Sequence, residues 1–398
     1  MWHKLLLKRK IIISASLSLL LIASLWYLGK NFQKFNKQTT PTITLPTISI
    51  EKSEEPPAYE CCTQSKSTFR KNIYFLKTHK TGSSTIQSII LRFALRHSLN
   101  VMNPILYLYN YPISKDTIDA SSSTPDNKYN ILAHHVRYSS NLASFQYPNT
   151  VTVTVLRNPV TLFPSLYNYF NMAQINGMTL QQFLRSPAKP STLWGIGSPW
   201  IYRGYNQMSY DLGFDLQKDA DNQTAVDEFV AKIDREFDFV MIMEYMEESL
   251  VLLARLMGWP LQSMMHLKLN ARPADPNAHV LTADEKITIL KLNHVDAALY
   301  YHFEKKFRKC VDQYGKEKLQ GEIVELRQLN EKFYRRCVDR EVQGGDLGGI
   351  LGAISYVPKN NSDLECVYAT QLSLTLEQTI RDIQSTRLNL EKRLPKFR

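Results

Sequence analysis

Asn72-Ile-Tyr-Phe-Leu76 runs straight into Lys77-Thr-His-Lys-Thr-Gly-Ser-Ser-Thr85, after which Ile86, Ile89, Ile90, Phe93, Ala94 and His97 recur at helical spacing. The first five residues are β-prone, the next nine polar, and the last set forms one apolar helix face, so the stretch predicts strand, loop and helix. The unit repeats. Val151 to Leu156 is a second strand, closed by Arg157-Asn158-Pro159, with a helical pattern resuming through Phe170. Phe239 to Met243 reads as a third, between helices at Ala225 to Phe237 and Glu247 to Met257. Asn130 to His134 is a further short strand. Strands alternating with helices predict an α/β fold of three layers, a central parallel sheet flanked by helices on both faces. From Leu281 to about Val338 the pattern is almost wholly helical, residues 341–355 are Gly-rich and read as loop, and Leu376 to Leu394 reads as a last amphipathic helix.

The loop carries the chemistry. A helix that opens directly after a strand presents its first N–H groups, and the positive end of its dipole, to an anion. Gly82 permits close approach of the backbone, Thr81, Ser83, Ser84 and Thr85 add hydroxyl donors, and Lys80 adds a positive charge. This is a phosphate cradle without the Gly-Lys-Ser/Thr order of a Walker A loop, since here the lysine precedes the glycine. Taken alone, the same residues also fit an ordinary capped helix start with a solvated lysine.

A second feature changes that balance. Arg157 ends a strand, and Ser165 lies eight residues later on the following helix. Ligands of open α/β sheets bind at the carboxyl ends of the strands, where a guanidinium grips a phosphate through two parallel N–H bonds. By itself Arg157 also fits a surface ion pair, and Ser165 an ordinary helix position.

The chain of 398 residues has 48 Lys and Arg against 37 Asp and Glu, a net charge of +11. The excess favours an anionic partner without choosing one, and no nucleic-acid-binding signature accompanies it. Ile11 to Gly29 is an uncharged, mostly apolar run behind Lys4, Lys8, Arg9 and Lys10. Nineteen residues make about 28 Å of helix, near the hydrocarbon thickness of a bilayer. A cleavable signal peptide would have a shorter apolar core and a small-residue cleavage site, whereas this run ends in Trp26-Tyr27 and Lys30. The expected layout is a cytosolic tail (1–10), a transmembrane signal anchor (11–29), a Thr/Pro/Ser-rich stem (30–70), a globular domain (71–340) and a C-terminal part (341–398) packed on it, the bulk facing the lumen. Asn222-Gln-Thr and Asn360-Asn-Ser are glycosylation acceptor patterns suited to that side. Five cysteines, with no CxxC pair or Cys/His cluster, fit an oxidising compartment better than a zinc site.

Lys80-Thr-Gly-Ser-Ser together with Arg157-Asn-Pro and Ser165 resembles the 5′-phosphosulfate and 3′-phosphate motifs of sulfotransferases. More narrowly, the chain resembles the membrane-bound galactose-3-O-sulfotransferases, galactosylceramide sulfotransferase included. The matching stretches are Phe75 to Thr85, His135-Val-Arg137, Thr154 to Pro159, Asp211-Leu-Gly-Phe214, Glu248 to Leu253, Leu267 to Arg272, and Leu299-Tyr with His302-Phe303, in the family's order. Gly82 stands where that family commonly has Ala, and Asn158 where many members have Asp. The tail matches poorly apart from Cys337 and the region of Cys366, which are candidates for a disulfide tethering it.

The resemblance implies a P-loop-like sulfotransferase fold and the co-substrate 3′-phosphoadenosine 5′-phosphosulfate, with no metal. Lys80, Thr81, Gly82, Ser83, Ser84 and Thr85 would hold the 5′-phosphosulfate, and Arg157 and Ser165 the 3′-phosphate. The acceptor would be a galactose-containing glycolipid or glycan, the setting the Golgi membrane as a single-pass type II protein. Lys80 would neutralise the leaving oxygen. A sugar hydroxyl wants a base, and histidine suits the task. His135, at the end of a strand, is favoured over His79, inside the loop in a cationic setting. Asp211, Gly213 and Lys268 to Arg272 match the family without a role that can be derived. A P-loop kinase, a glycosaminoglycan sulfotransferase and a non-catalytic lectin are the competing readings. The acceptor, the ring position and the oligomeric state, a homodimer among the options, stay open.

Overall fold

The structure is a computed structural model that describes residues 68–105, 112–186, 204–269, 279–343 and 353–393. The expected anchor, nearly all of the stem, Cys61, Cys62 and residues 270–272 of the matched Leu267 segment lie outside the described residues. Among the described residues no helix is long and apolar enough to cross a membrane.

The central sheet has four parallel strands, β1 (Ile73–Leu76), β2 (Ile131–His134), β3 (Val151–Leu156) and β4 (Phe239–Ile242), in the order β2-β1-β3-β4. All four are buried along their length, which explains their near-continuous apolar sequences: a parallel sheet is covered on both faces. The chain leaves β1 through helix α1 (Ser83–Arg96) to β2 on one side, then returns to β3 on the other. Leu76 is therefore in register with His134 on one flank and Thr154 on the other. The loops after β1 and β3 diverge from adjacent strands at the point where strand order reverses, the crevice in which open α/β sheets bind ligands.

Helix α2 (Pro159–Tyr169) follows β3, then come α3 (Gln207–Asp211) and α4 (Gln223–Glu236). Helix α5 (Met246–Met257) follows β4, and α6 (Ala283–Leu292), α7 (His294–Tyr314) and α8 (Lys316–Cys337) make up the helical stretch expected after Leu281. Every strand and long helix read from periodicity is present with ends shifted by a few residues. The Gly-rich region differs from expectation. Strand β5 (Val338–Gln343) runs across its start and pairs antiparallel with β6 (Ile354–Pro358) at its far end. The glycines fall between these strands, so the apolar residues of Val338, Val342 and Ile354 to Val357, rather than the glycines, decide the local structure.

The C-terminal helix α9 (Ser373–Arg393) packs on α1 with Leu376, Ile380 and Leu388 buried. A disulfide joins Cys337 at the end of α8 to Cys366, just ahead of α9. Cys310 is also disulfide-bonded.

Candidate active site

The loop after β1 is stapled from within. Thr78 donates its hydroxyl to the Val155 carbonyl of β3 at 2.5 Å, while the hydroxyls of Thr81 and Ser83 donate to the Thr78 carbonyl at 3.2 and 2.7 Å. Thr81, Ser83 and Thr85 are buried. Two of the hydroxyls expected to face an anion thus brace the turn, because a hairpin this tight must satisfy its own carbonyls. Lys80 and Gly82 both lie at positive φ, 58° and 73°. Gly82 is the N-cap of α1, no side chain caps the helix, and its first turn carries no acid. Main-chain N–H groups at the start of α1, half-exposed Ser84 and Lys80 are donors of the kind that fit a phosphate ester.

The second loop meets the first directly. Arg157 donates from Nη1 to the Lys80 carbonyl at 2.8 Å and from Nε to Thr161 at 3.0 Å. Burial lowers the pKa of this guanidinium, with Glu244 opposing the shift; it stays charged at neutral pH. Asn158 caps α2 through Val160 N–H, a bond that Asp would make equally well. Along α2, Thr161, Ser165 and Tyr169 are spaced four apart and share a face. One end of that face touches Arg157, and at the other the Lys80 ammonium sits 4.2 Å from the Tyr169 ring centre. Ser165 lies between them. Lys80 and Arg157 thus meet at one edge of the sheet, with Ser165 on the helix that follows β3.

Both histidines reach the same edge. Their rings stack with centres 4.2 Å apart. His135 Nδ1 lies 2.8 Å from the Lys77 carbonyl, which can only accept, so this nitrogen carries the proton and Nε2 is the basic one. Burial, then the neighbouring His79 and Lys77, holds the His135 imidazole well below its ordinary pKa. His79 also has an acidic partner that its place among lysines did not suggest. Asp211 accepts its backbone N–H at 2.9 Å and takes its Nδ1 at 2.9 and 3.0 Å.

Asp211 is one of the residues to which sequence reasoning gave no role. It ends α3 and also accepts from Gln207 at 3.0 Å. Helix α3 is held in turn by Asp296 of α7, which accepts from the Met208 and Ser209 amides at 3.2 and 2.7 Å. The segment after it is strapped to the residues following β2: Tyr138 N–H donates to the Asp211 carbonyl at 2.8 Å, and Arg137 to that of Phe214 at 2.9 Å. Gly213, at φ 93°, fits there because a Cβ would fall 2.5 Å from the Tyr138 carbonyl oxygen. Two matched segments, His135 to Arg137 and Asp211 to Phe214, are thereby two sides of one contact.

The galactose-3-O-sulfotransferase family model matches residues 3–348, most of the chain. The chain belongs to this family. Among curated proteins it is similar to Homo sapiens galactose-3-O-sulfotransferase 3, 34% identical over 281 residues that cover 68% of this chain and 64% of that protein. It is also similar to Bos taurus galactosylceramide sulfotransferase, 31% identical over 309 residues covering 76% of this chain and 72% of that protein. Homo sapiens galactose-3-O-sulfotransferase 2 is 31% identical over 284 residues, 67% of this chain and 68% of it. The match thus spans a little under two thirds of the length of the first of these relatives.

Proposed function

We propose that this family member transfers a sulfuryl group from 3′-phosphoadenosine 5′-phosphosulfate to the 3-hydroxyl of a terminal β-galactose on a glycolipid or glycan. The observation that best supports this reading is the Arg157–Lys80 hydrogen bond, which joins the guanidinium we read as the 3′-phosphate grip to the loop we read as the 5′-phosphosulfate cradle. The family match and relatives named for galactose 3-O-sulfation and for galactosylceramide support the acceptor class.

Bound there, the nucleotide supplies an activated sulfuryl group and departs as adenosine 3′,5′-bisphosphate. The N-terminal amides of α1 and Ser84 hold the 5′ side, and the Lys80 ammonium, tethered over Tyr169, neutralises charge building on the departing phosphate oxygen. Arg157 and Ser165 select the 3′-phosphate, which ATP lacks. We place the general base on His79. With Nδ1 donated to Asp211, its Nε2 receives the hydroxyl proton, and the carboxylate stabilises the resulting imidazolium. His135, kept neutral by burial, stacks on that ring without adding a second positive charge. The reading extends to location: the basic-flanked apolar run at 11–29 supports a type II Golgi anchor with the domain in the lumen.

The test is sulfate transfer from labelled donor to a panel of β-galactosides with each hydroxyl blocked in turn. Transfer to all acceptors except the 3-blocked one is expected. Binding of ATP with an affinity equal to that of adenosine 3′,5′-bisphosphate, without transfer, would return the chain to the kinase class.

A further inference from the structure

The C-terminal helix lies outside the residues matched to the family model, which end at 348. An ordinary packing helix would bury apolar side chains alone. Helix α9 also buries Glu377 and Gln384, at 5% and 3% exposure. These two polar residues do different things. Gln384 binds both backbone groups of Val101, at 2.7 and 3.0 Å, and the Ser122 carbonyl at 2.8 Å, which docks the helix far from the anion loop in sequence. Glu377 instead meets helix α1 and strand β2. Its carboxylate accepts from Gln87 Nε2 at 2.5 Å and lies 3.4 Å from His134 Nδ1.

Gln87 Nε2 also donates to the Ala133 carbonyl at 2.6 Å. Both partners of that nitrogen are pure acceptors, so the amide has one orientation and its oxygen must point the other way. There it accepts from the Lys77 ammonium at 2.7 Å. Lys77 is buried and touches the catalytic edge through its backbone: its N–H donates to the His134 carbonyl at 3.3 Å and its own carbonyl orients His135. Two residues further on is His79, three further on Lys80.

We propose that Glu377 is a positioning residue for sulfuryl transfer: a carboxylate delivered by the C-terminal helix that fixes the Gln87 amide and the Lys77 ammonium, and through Lys77 the start of the anion loop and the ring of His135. A buried carboxylate is costly, and an apolar residue of the same volume is often neutral or better for stability, so stability alone does not explain it. Burial lowers the Lys77 amine to about 8, with Glu377 opposing the shift. Without the carboxylate, a buried cation directly beneath the loop loses its counter-charge.

The inference rests on the function proposed above. Its test uses the same full-length protein as wild type, Glu377→Gln, Glu377→Asp and Gln384→Ala, measured for kcat and KM in sulfate transfer, for Tm, and for the ¹⁵N ring signals of His135. Glu377→Gln is expected to lower kcat about 10–100-fold with little change in acceptor KM, as misplaced catalytic groups do, and to move the His135 signals. Glu377→Asp, which keeps the charge, should retain a higher kcat than Glu377→Gln. Gln384→Ala should lower Tm at least as far while leaving kcat within about twofold at a temperature where it is folded. A Glu377→Gln enzyme within about twofold of wild type overturns the proposal. So does a loss of kcat that Gln384→Ala reproduces at equal Tm. If the wild type transfers sulfate to no galactoside, the function has failed, and the ring signals alone decide: movement in Glu377→Gln but not in Gln384→Ala sustains the positioning role, and no movement ends it.

Discussion

The guanidinium of Arg157 donates to the backbone carbonyl of Lys80 at 2.8 Å, across the gap between two adjacent parallel strands. In the function proposed above, one side chain would serve two ends of a ligand: it would offer charge to a 3′-phosphate and steady the turn beneath a 5′-phosphate. Charge-assisted hydrogen bonds contribute about 1.5–3 kcal/mol each. Arg157→Ala should weaken adenosine 3′,5′-bisphosphate binding by about 10–100-fold in calorimetry. Adenosine 5′-phosphosulfate, which lacks the 3′ group, should lose much less. Equal losses for the two nucleotides would make Arg157 a brace for the loop and nothing more.

The stacked histidines make a second comparison. Both rings hold Nδ1 against an acceptor, the Asp211 carboxylate in His79 and the Lys77 carbonyl in His135, which leaves Nε2 as the basic nitrogen of each. His79→Ala and Asp211→Asn should each cut kcat by about 10²–10⁴-fold, the usual worth of a general base and its orienting acid. Binding of adenosine 3′,5′-bisphosphate should survive both changes. His135→Ala removes the stacking partner and should cost about tenfold, within the range for an aromatic contact. The reverse order of severity would move the base to His135.

How much of this could be read from sequence follows the range of the interactions. Strand β3 and helix α1 are local patterns, apolar run and helical period, and both stood out. Residues 80, 157 and 165 stood out too, because each marks a strand end or the helix after it. Asp211 did not. Its meaning depends on a contact with His79 across 132 positions, and no local pattern marks an acid at the end of a five-residue helix. Glu377, paired with a glutamine 290 positions away, was hidden for the same reason, inside a helix whose amphipathic pattern reads only as packing. The hydroxyls of Thr81 and Ser83 were legible as donors, but not their contact with the Thr78 carbonyl, because composition does not show which way a tight turn points them.

Gly82 tests the backbone of the cradle. The residue sits at φ 73°, with an added Cβ 3.0 Å from the Met246 methyl. A left-handed conformation costs a residue with a Cβ about 1–2 kcal/mol, and the methionine tip can shift. Gly82→Ala should therefore fold and bind adenosine 3′,5′-bisphosphate with near-normal affinity, with a loss of about 1–2 kcal/mol in chemical denaturation. Gly82→Val, whose branched Cβ suits positive φ poorly, should lose more stability and weaken binding. A large loss of nucleotide affinity in the alanine variant at unchanged stability would mean that the backbone at 82 must approach the ligand more closely than a methyl allows.

Asp296 gives the protein a pH-dependent stability of known sign. Burial raises this carboxyl to about 6, against the bonds it accepts from Ser209 and Met208, and Asp211 adds to the rise. A group whose folded pKa lies above its unfolded value contributes stability below the unfolded value and loses it as pH rises through the folded one. The window runs from the ordinary carboxylate value of 3.8 to about 6, and a shift of this size corresponds to on the order of 2–3 kcal/mol. Asp296→Asn cannot titrate, so its deficit relative to wild type should shrink by up to that amount between pH 4 and 7, measured by denaturant unfolding. Because Asp296 caps the helix that ends in Asp211, the same variant should also lower kcat at pH 7 without altering binding of adenosine 3′,5′-bisphosphate. A stability gap that stays constant across the pH range would show that Asp296 titrates normally, and that helix α3 is anchored by something other than a carboxyl strained by burial.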